Sequence, residues 1–266
     1  MKKITSAIVS TLSILTTGLL CQTAVASTTM TEGKMVVGMD ITYPPFESYD
    51  GDKVIGFDPE LAALLGEQIG ATPEFSNNSF ASLILGLKSN KFDVVMSGMY
   101  ILPKRLKVVD AIPYARTGAS IIVKKGSSIQ PQSEKDLCGV KVGVQQGESY
   151  VGSLNELSET YCKPNGKPAV IVQEFPSAPE AVQAILSGNI QAQILIDAAA
   201  KLMVEKTKGR VEVSTPDLVY ASTIGLFLSK ENQALKKDLE KAMATITKNG
   251  SLPALLEKYE LTPAFK

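Results

Sequence analysis

From Gly33 onward the chain alternates short apolar runs with longer amphipathic ones, and that alternation restricts it to an α/β architecture. Met35-Val36-Val37-Gly38-Met39 reads as a strand. Asp58 to Ile69 follows as a helix, with Pro59 in its first turn, Leu61, Leu64, Leu65 and Ile69 on one face, and Gly70 at its end. Pro73-Glu74-Phe75 is a second strand, Phe80 to Lys88 a second helix, and Phe92 to Met96 a third strand. After Ala119 to Val123 and a turn at Lys124 to Ser128, the pattern restarts. Strands at Lys141–Gln145, Pro168–Gln173 and Ile190–Ile196 alternate with helices at Glu148–Tyr161 and Ala178–Leu186. Ser222 to Ser229 adds an apolar strand, and helices follow at Asn232–Lys248 and Leu252–Tyr259. A pattern that runs twice and then returns predicts two lobes, the second inserted into the first. Residues 33–114 plus 223–266 form lobe one and 115–222 lobe two. With no low-complexity linker between them, the connections are expected to be short paired strands acting as a hinge, with a cleft between the lobes.

The amino terminus sets the compartment. Met1-Lys2-Lys3, an apolar stretch from Ile4 to Leu20 and Ala24-Val25-Ala26 have the form of a secretory signal peptide cleaved after Ala26. Cys21 opens the alternative of a lipid anchor, which the bulky Leu20 before it disfavours. Cleavage removes two lysines and leaves 25 basic against 27 acidic residues, so no broad attraction to nucleic acid or anionic membrane is expected. In an oxidising compartment the remaining cysteines, Cys138 and Cys162, are expected to pair, with two unpaired buried thiols as the alternative. The chain has no histidine, so a zinc site or a histidine-based catalytic site lacks raw material, and no cofactor is expected.

The stretch SGMYILPKR, Ser97 to Arg105, directly follows the third strand. A small polar residue and a glycine end that strand, and an arginine follows eight residues after the serine. Turn N–H groups and a planar guanidinium together suit a carboxylate, which lysine cannot grip in the same paired way. Read alone, Arg105 is a solvated surface residue first, as most arginines after a turn are.

GMDITYPPFES (38–48), VIGFDPELAALL (54–65), FDVVMSGMYILPKR (92–105), VGVQQGES (142–149) and KNGSLPALLEKYEL (248–261) occur in the order found in one family. Together they resemble the bacterial extracellular solute-binding proteins of family 3, the polar amino-acid-binding components of ABC importers. The resemblance implies a two-lobed clamshell, the type II periplasmic-binding-protein fold with a hinge of crossover strands. Its ligand is a free amino acid held between the lobes, and its partners are a membrane permease and ATPase. The implied protein is a periplasmic monomer. It further implies that Tyr43 and Phe80 wall the pocket and that Ser97, Gly98 and Arg105 hold the α-carboxylate. Gln146, Gly147, Glu148 and Ser149 would add donors from lobe two, and Asp197 would receive the α-ammonium.

Asp40 and Tyr100 are further candidate ligand contacts, and four of the candidates also have a purely structural reading. Tyr43 before Pro44-Pro45 packs on a rigid turn, Asp40 caps the turn after its strand, Phe80 is a core residue, and Asp197 is the N-cap of a helix. Four positions depart from the family pattern. Tyr100 and Leu102 stand where hydroxyl residues are usual, and Glu148 stands where Ser or Thr is usual. Asp197 lies one residue further from Gly188 than the usual spacing, which reverses side-chain direction in a strand. Glu148 is expected to turn to solvent as a favourable first-turn acid. A periplasmic enzyme similar to cyclohexadienyl dehydratase, with Glu148 or Asp197 as general acid, is the alternative on the same scaffold.

Overall fold

The structure is a computed structural model that describes residues 28–264, so the expected leader with its Ala26 cleavage point and Cys21 lies outside the described residues. The first half runs β1 (Lys34–Met39), β2 (Ser48–Asp50), β3 (Lys53–Ile55), α1 (Phe57–Ile69), β4 (Thr72–Asn77), a single 3-10 turn (Phe80–Ser82), α2 (Leu83–Lys88), β5 (Val94–Val95) and α3 (Pro103–Leu106). The long β6 (Asp110–Lys124) then leads to β7 (Lys141–Gln145), α4 (Tyr150–Leu157), β8 (Ile171–Phe175), α5 (Ala178–Ser187), β9 (Ala192–Ile196), α6 (Asp197–Lys206) and β10 (Val211–Val213). The chain returns along β11 (Val219–Leu228) and closes with α7 (Gln233–Lys248), α8 (Ser251–Lys258) and β12 (Thr262–Pro263).

The strands join in the order β4-β1-β5-β11-β6-β9-β7-β8. The two ends of that path mirror each other. β4, β1 and β5 are parallel, as are β8, β7 and β9. Between them β11 and β6 run antiparallel, with register irregularities between Val219 and Ser222 and between Ile224 and Gly225. β6 pairs with β11 over its first part and with β9 over Ala119 to Val123, so one strand belongs to both halves. This is the expected two-lobed clamshell joined by crossing strands.

Local chemistry accounts for the elements. α1 carries Asp58 and Glu60 in its first turn and ends at Gly70 in the left-handed conformation, burying Leu61, Ala62 and Leu65. Ser177 accepts from the Glu180 N–H to cap α5, and Asn232 accepts from the Leu235 N–H to cap α7. Several expectations shift, including the 190–196 and 222–229 strands, observed at Ala192–Ile196 and Val219–Leu228, and the 80–88 helix, which opens with the 3-10 turn. β5 keeps only Val94 and Val95 of the expected 92–96 strand, because Phe92 turns its ring into the space left by Gly38 and Gly86. The helix expected from Glu148 begins at Tyr150 and its α-helical part ends at Leu157, followed by a wider turn over Ser158–Cys162. The expected 168–173 strand is shifted to Ile171–Phe175. Cys138 and Cys162 are joined by a disulfide that ties this wider turn to the segment before β7. No helix among the described residues is long and apolar enough to cross a membrane.

Candidate functional site

The carboxyl ends of the parallel strands from both halves face one another. β1 delivers Asp40, β5 delivers Ser97 and Gly98, β7 delivers Gln145 and the turn after it, and β9 delivers Ile196. In open α/β sheets, this is the rim at which ligands are bound. Phe80, Gly98, Tyr100, Arg105, Glu148, Ser149, Tyr150 and Ile196 enclose a cavity there of about 10 Å³, room for one water molecule. An amino acid enters only when the halves part. Larger grooves of ≈ 480 and ≈ 450 Å³ lie beside α7 and between α1 and α8, where aliphatic helix faces are bounded by surface charges. They lack the converging aromatic and charged groups of the small cavity.

Four hydrogen bonds cross between the halves around this cavity. Gln145 Nε2 donates to Asp40 Oδ2 at 2.8 Å, and the Ile196 N–H donates to the Tyr43 hydroxyl at 3.0 Å. The Tyr150 hydroxyl donates to that of Tyr100 at 3.0 Å, and Arg105 Nη2 donates to the Gly147 carbonyl at 3.2 Å. Gly147 is required where it stands. Its φ is +83°, and a Cβ would lie 2.6 Å from the Ala81 Cα of the opposite half.

Arg105 is buried. Its Nη1 donates to the Tyr100 carbonyl at 2.8 Å, and the guanidinium lies 5.7 Å from the centroid of the Phe80 ring. Burial pulls its pKa down to about 10, against the Glu148 charge, so it stays a cation at neutral pH. Arg105 therefore sits in the cleft.

Ser97 does not face the cavity. Its Oγ donates to Glu47 Oε1 at 2.6 Å and accepts from the Asp40 N–H at 3.1 Å, and the residue is fully buried. Gly98 lines the cavity, but its N–H donates to Asp58 Oδ2 at 2.7 Å. The turn is thus held from behind by two buried carboxylates, Glu47 and Asp58. Burial pushes both up, Asp58 to about 6, and the neighbouring Asp58 charge raises Glu47 further. Glu47 Oε2 and Asp58 Oδ1 are buried without a partner, and the Tyr114 hydroxyl beside Asp58 closes no well-formed hydrogen bond. A proton retained on Glu47 supplies the donor that two ionised carboxylates lack.

The remaining expected residues divide. Tyr43 and Phe80 are buried at the cleft, where Tyr43 bridges the halves. Asp40 fills its turn-capping role, accepting from the Thr42 hydroxyl at 2.6 Å and the Phe80 N–H at 3.0 Å, and it also receives Gln145. Burial raises its pKa. Gln146 is exposed, with its N–H committed to the Phe175 carbonyl. Ser149 lines the cavity and occupies the N-cap position of α4 without a side-chain capping bond. Asp197 is the first residue of α6 rather than its cap, and Oδ1 accepts from the Ser120 hydroxyl at 2.7 Å while Oδ2 pairs with Lys201 at 2.9 Å. Glu148, expected to turn to solvent, faces the cleft. It precedes the helix, so the turn rather than helix periodicity sets its direction, and burial pushes its carboxyl up to about 8 despite Arg105 and the Tyr43 hydroxyl nearby.

Gln145, Tyr150 and Ile196 join the site without being among the residues expected there. Tyr150 and Gln145 flank the QGES motif and had a signal there. Ile196 had none, since an isoleucine ending a strand is ordinarily core. Among the described residues no cluster of acidic or cysteine side chains is arranged to hold a metal.

Two halves hinged on crossing strands, with an arginine, an acid and aromatic side chains in the cleft, define a two-lobed binding protein for a small polar molecule. The family model for bacterial extracellular solute-binding proteins, family 3, matches residues 35–262, and the chain belongs to that family. It is 33% identical over 231 residues to the L-cystine-binding protein TcyJ of Escherichia coli strain K12, covering 85% of this chain and 82% of the relative. A solved ancestral arginine-binding protein bound to arginine superposes with a TM-score of 0.76 at 33% identity, covering 85% of this chain and 98% of that one. A third is the ancestral amino acid-binding protein AncCDT-1, described as a precursor of cyclohexadienyl dehydratase. Its TM-score is 0.72 at 31% identity, with 85% of this chain and 95% of that one covered.

Proposed function

We propose that this protein captures a polar amino acid between its two lobes and delivers it to the permease and ATPase of an ABC importer, without chemical change to the ligand. The observation that carries the reading is Arg105, a buried cation whose guanidinium reaches from the first half to the Gly147 carbonyl of the second. A carboxylate offered to Arg105 displaces a neutral carbonyl and gains a charged, paired contact. Lobe one comprises 33–114 with 223–266 and lobe two 115–222, and closure is bending of the β6–β11 ribbon. Tyr43, Phe80, Tyr100, Tyr150 and Ile196 form the walls, and Gly98 with residues 146–149 supplies the polar rim. The leader is removed after Ala26, and the mature protein works in the periplasm as a monomer.

Cystine and the basic amino acids are the first ligands to test, given what the relatives are named for. A thermal-shift and calorimetric screen of the chain from Ser27 against the common amino acids and cystine tests the reading. A raised midpoint with at least one of them is expected, and none at millimolar concentration would refute it. A second reading, a dehydratase on this scaffold, is favoured by AncCDT-1 and by a carboxyl at Glu148 that holds a proton near neutral pH. Turnover of prephenate or arogenate by the same preparation would establish it in place of transport.

A further inference from the structure

An α-amino acid presents its two charges on neighbouring atoms, so the groups that grip them must themselves stand side by side. Arg105 and Glu148 do. Both line the same cavity, they are electrostatically coupled, and Arg105 reaches the carbonyl of the residue immediately before Glu148. Asp197 does not share the cavity. Its oxygens are taken by Ser120 and Lys201, and its predecessor Ile196 presents the cavity wall instead.

We propose that Glu148, rather than Asp197, receives the ligand's α-ammonium, with the α-carboxylate on Arg105. This inference rests on the amino-acid-binding reading above. The Arg105–Glu148 opposition is the charge complement of a zwitterion, which inserts between them and leaves each protein charge with a partner of opposite sign. Tyr43, Tyr100 and Tyr150 surround the pair with neutral rings, while Asp40 is the further acid whose charge opposes ionisation of Glu148. Burial holds the Glu148 carboxyl near 8 before ligand arrives, so at neutral pH an incoming ammonium drives its proton off. Affinity then rises with pH as the ionised fraction climbs, by roughly 50-fold from pH 6 to pH 8.

The test is calorimetry of the chain from Ser27 with L-arginine, L-histidine, L-glutamine and L-cystine. It is run on wild type, Glu148→Gln and Asp197→Asn, each variant first shown by far-ultraviolet circular dichroism to keep its ligand-free melting midpoint. For whichever amino acid binds, Glu148→Gln is expected to weaken it by more than about 30-fold and Asp197→Asn by less than about 3-fold. A loss in Asp197→Asn equal to or greater than that in Glu148→Gln overturns the assignment, as does an unchanged Glu148→Gln. Wild type gives a second readout that needs no variant. Titrations at pH 7 in buffers of differing ionisation enthalpy are expected to show release of close to one proton per ligand. No release, together with flat affinity from pH 6 to pH 8, overturns the assignment. Failure of all four amino acids to bind refutes instead the amino-acid reading on which it stands.

Discussion

Glu47→Gln isolates the proton held behind the ligand-binding turn. Glu47 and Asp58 are fully buried, each accepts a hydrogen bond from the Ser97–Gly98 turn, and neither forms an ion pair among the described residues. Burial raises both above their unfolded values, so the folded state binds protons more tightly than the unfolded chain. Stability must therefore fall as pH rises from near 4 through the folded values. Asp58, moved from 3.8 to about 6, accounts alone for a loss on the order of 3 kcal/mol, at about 1.4 kcal/mol per pKa unit. Glutamine has the shape of a protonated Glu47. Its carbonyl still accepts from Ser97, and its amide donates permanently toward Asp58. The variant is expected to match wild type at pH 4 and to be more stable by about 1–3 kcal/mol at pH 8. The chain has no tryptophan, so urea unfolding is followed by circular dichroism at a series of pH values. A wild-type minus variant difference that does not change with pH refutes the shared-proton account, and so does a variant less stable at pH 8.

Other substitutions probe the cleft and the scaffold separately. Arg105→Lys keeps the charge but loses the planar fork, and is expected to weaken an amino-acid ligand by about 2 kcal/mol in calorimetry while leaving the melting midpoint nearly unchanged. Gly147→Ala places a methyl where the Ala81 backbone approaches and forces an unfavourable φ. The variant should fold, bind at least tenfold more weakly, and show an open, more extended particle by small-angle scattering in saturating ligand. Replacing Cys138 and Cys162 together by serine releases a closure spanning 24 residues and is expected to cost on the order of 3 kcal/mol in urea unfolding, with ligand affinity within about twofold of wild type once folded.

Much of this architecture is legible in the sequence because its elements are long and periodic. The Lys141–Gln145 strand matches its expectation residue for residue, and α1 differs by one position at its start. The β2–β3 hairpin leaves no periodic signal in the sequence, because its strands are only three residues each. Site residues were harder, for a physical reason. Arg105 became legible only through the motifs around it, since an arginine after a turn is by itself a solvated surface residue, whereas the direction of Ser97 depends on Glu47 and Asp58, which are 50 and 39 positions away. Glu148 turns inward against the usual exposure of glutamates because Gly147 at φ +83° aims the turn toward the opposite half. Contributions from Gln145, Tyr150 and Ile196 exist only once the two halves meet.

The return of β11 also fixes an order of assembly. Val94 and Val95 of β5 pair with Leu228 and Phe227, and Asp110 of β6 pairs with Leu228 as well. Until the chain has been made as far as residue 228, β5 is a bare sheet edge and the first half cannot close. The β7, β8 and β9 strands of the inserted half, by contrast, lie between residues 141 and 196 and pair directly with one another and with β6, so that half completes earlier, from nearer contacts. The exposed β5 edge is the place where a chain still awaiting its last segment is open to mispairing with another copy, and where a holding chaperone has most to protect.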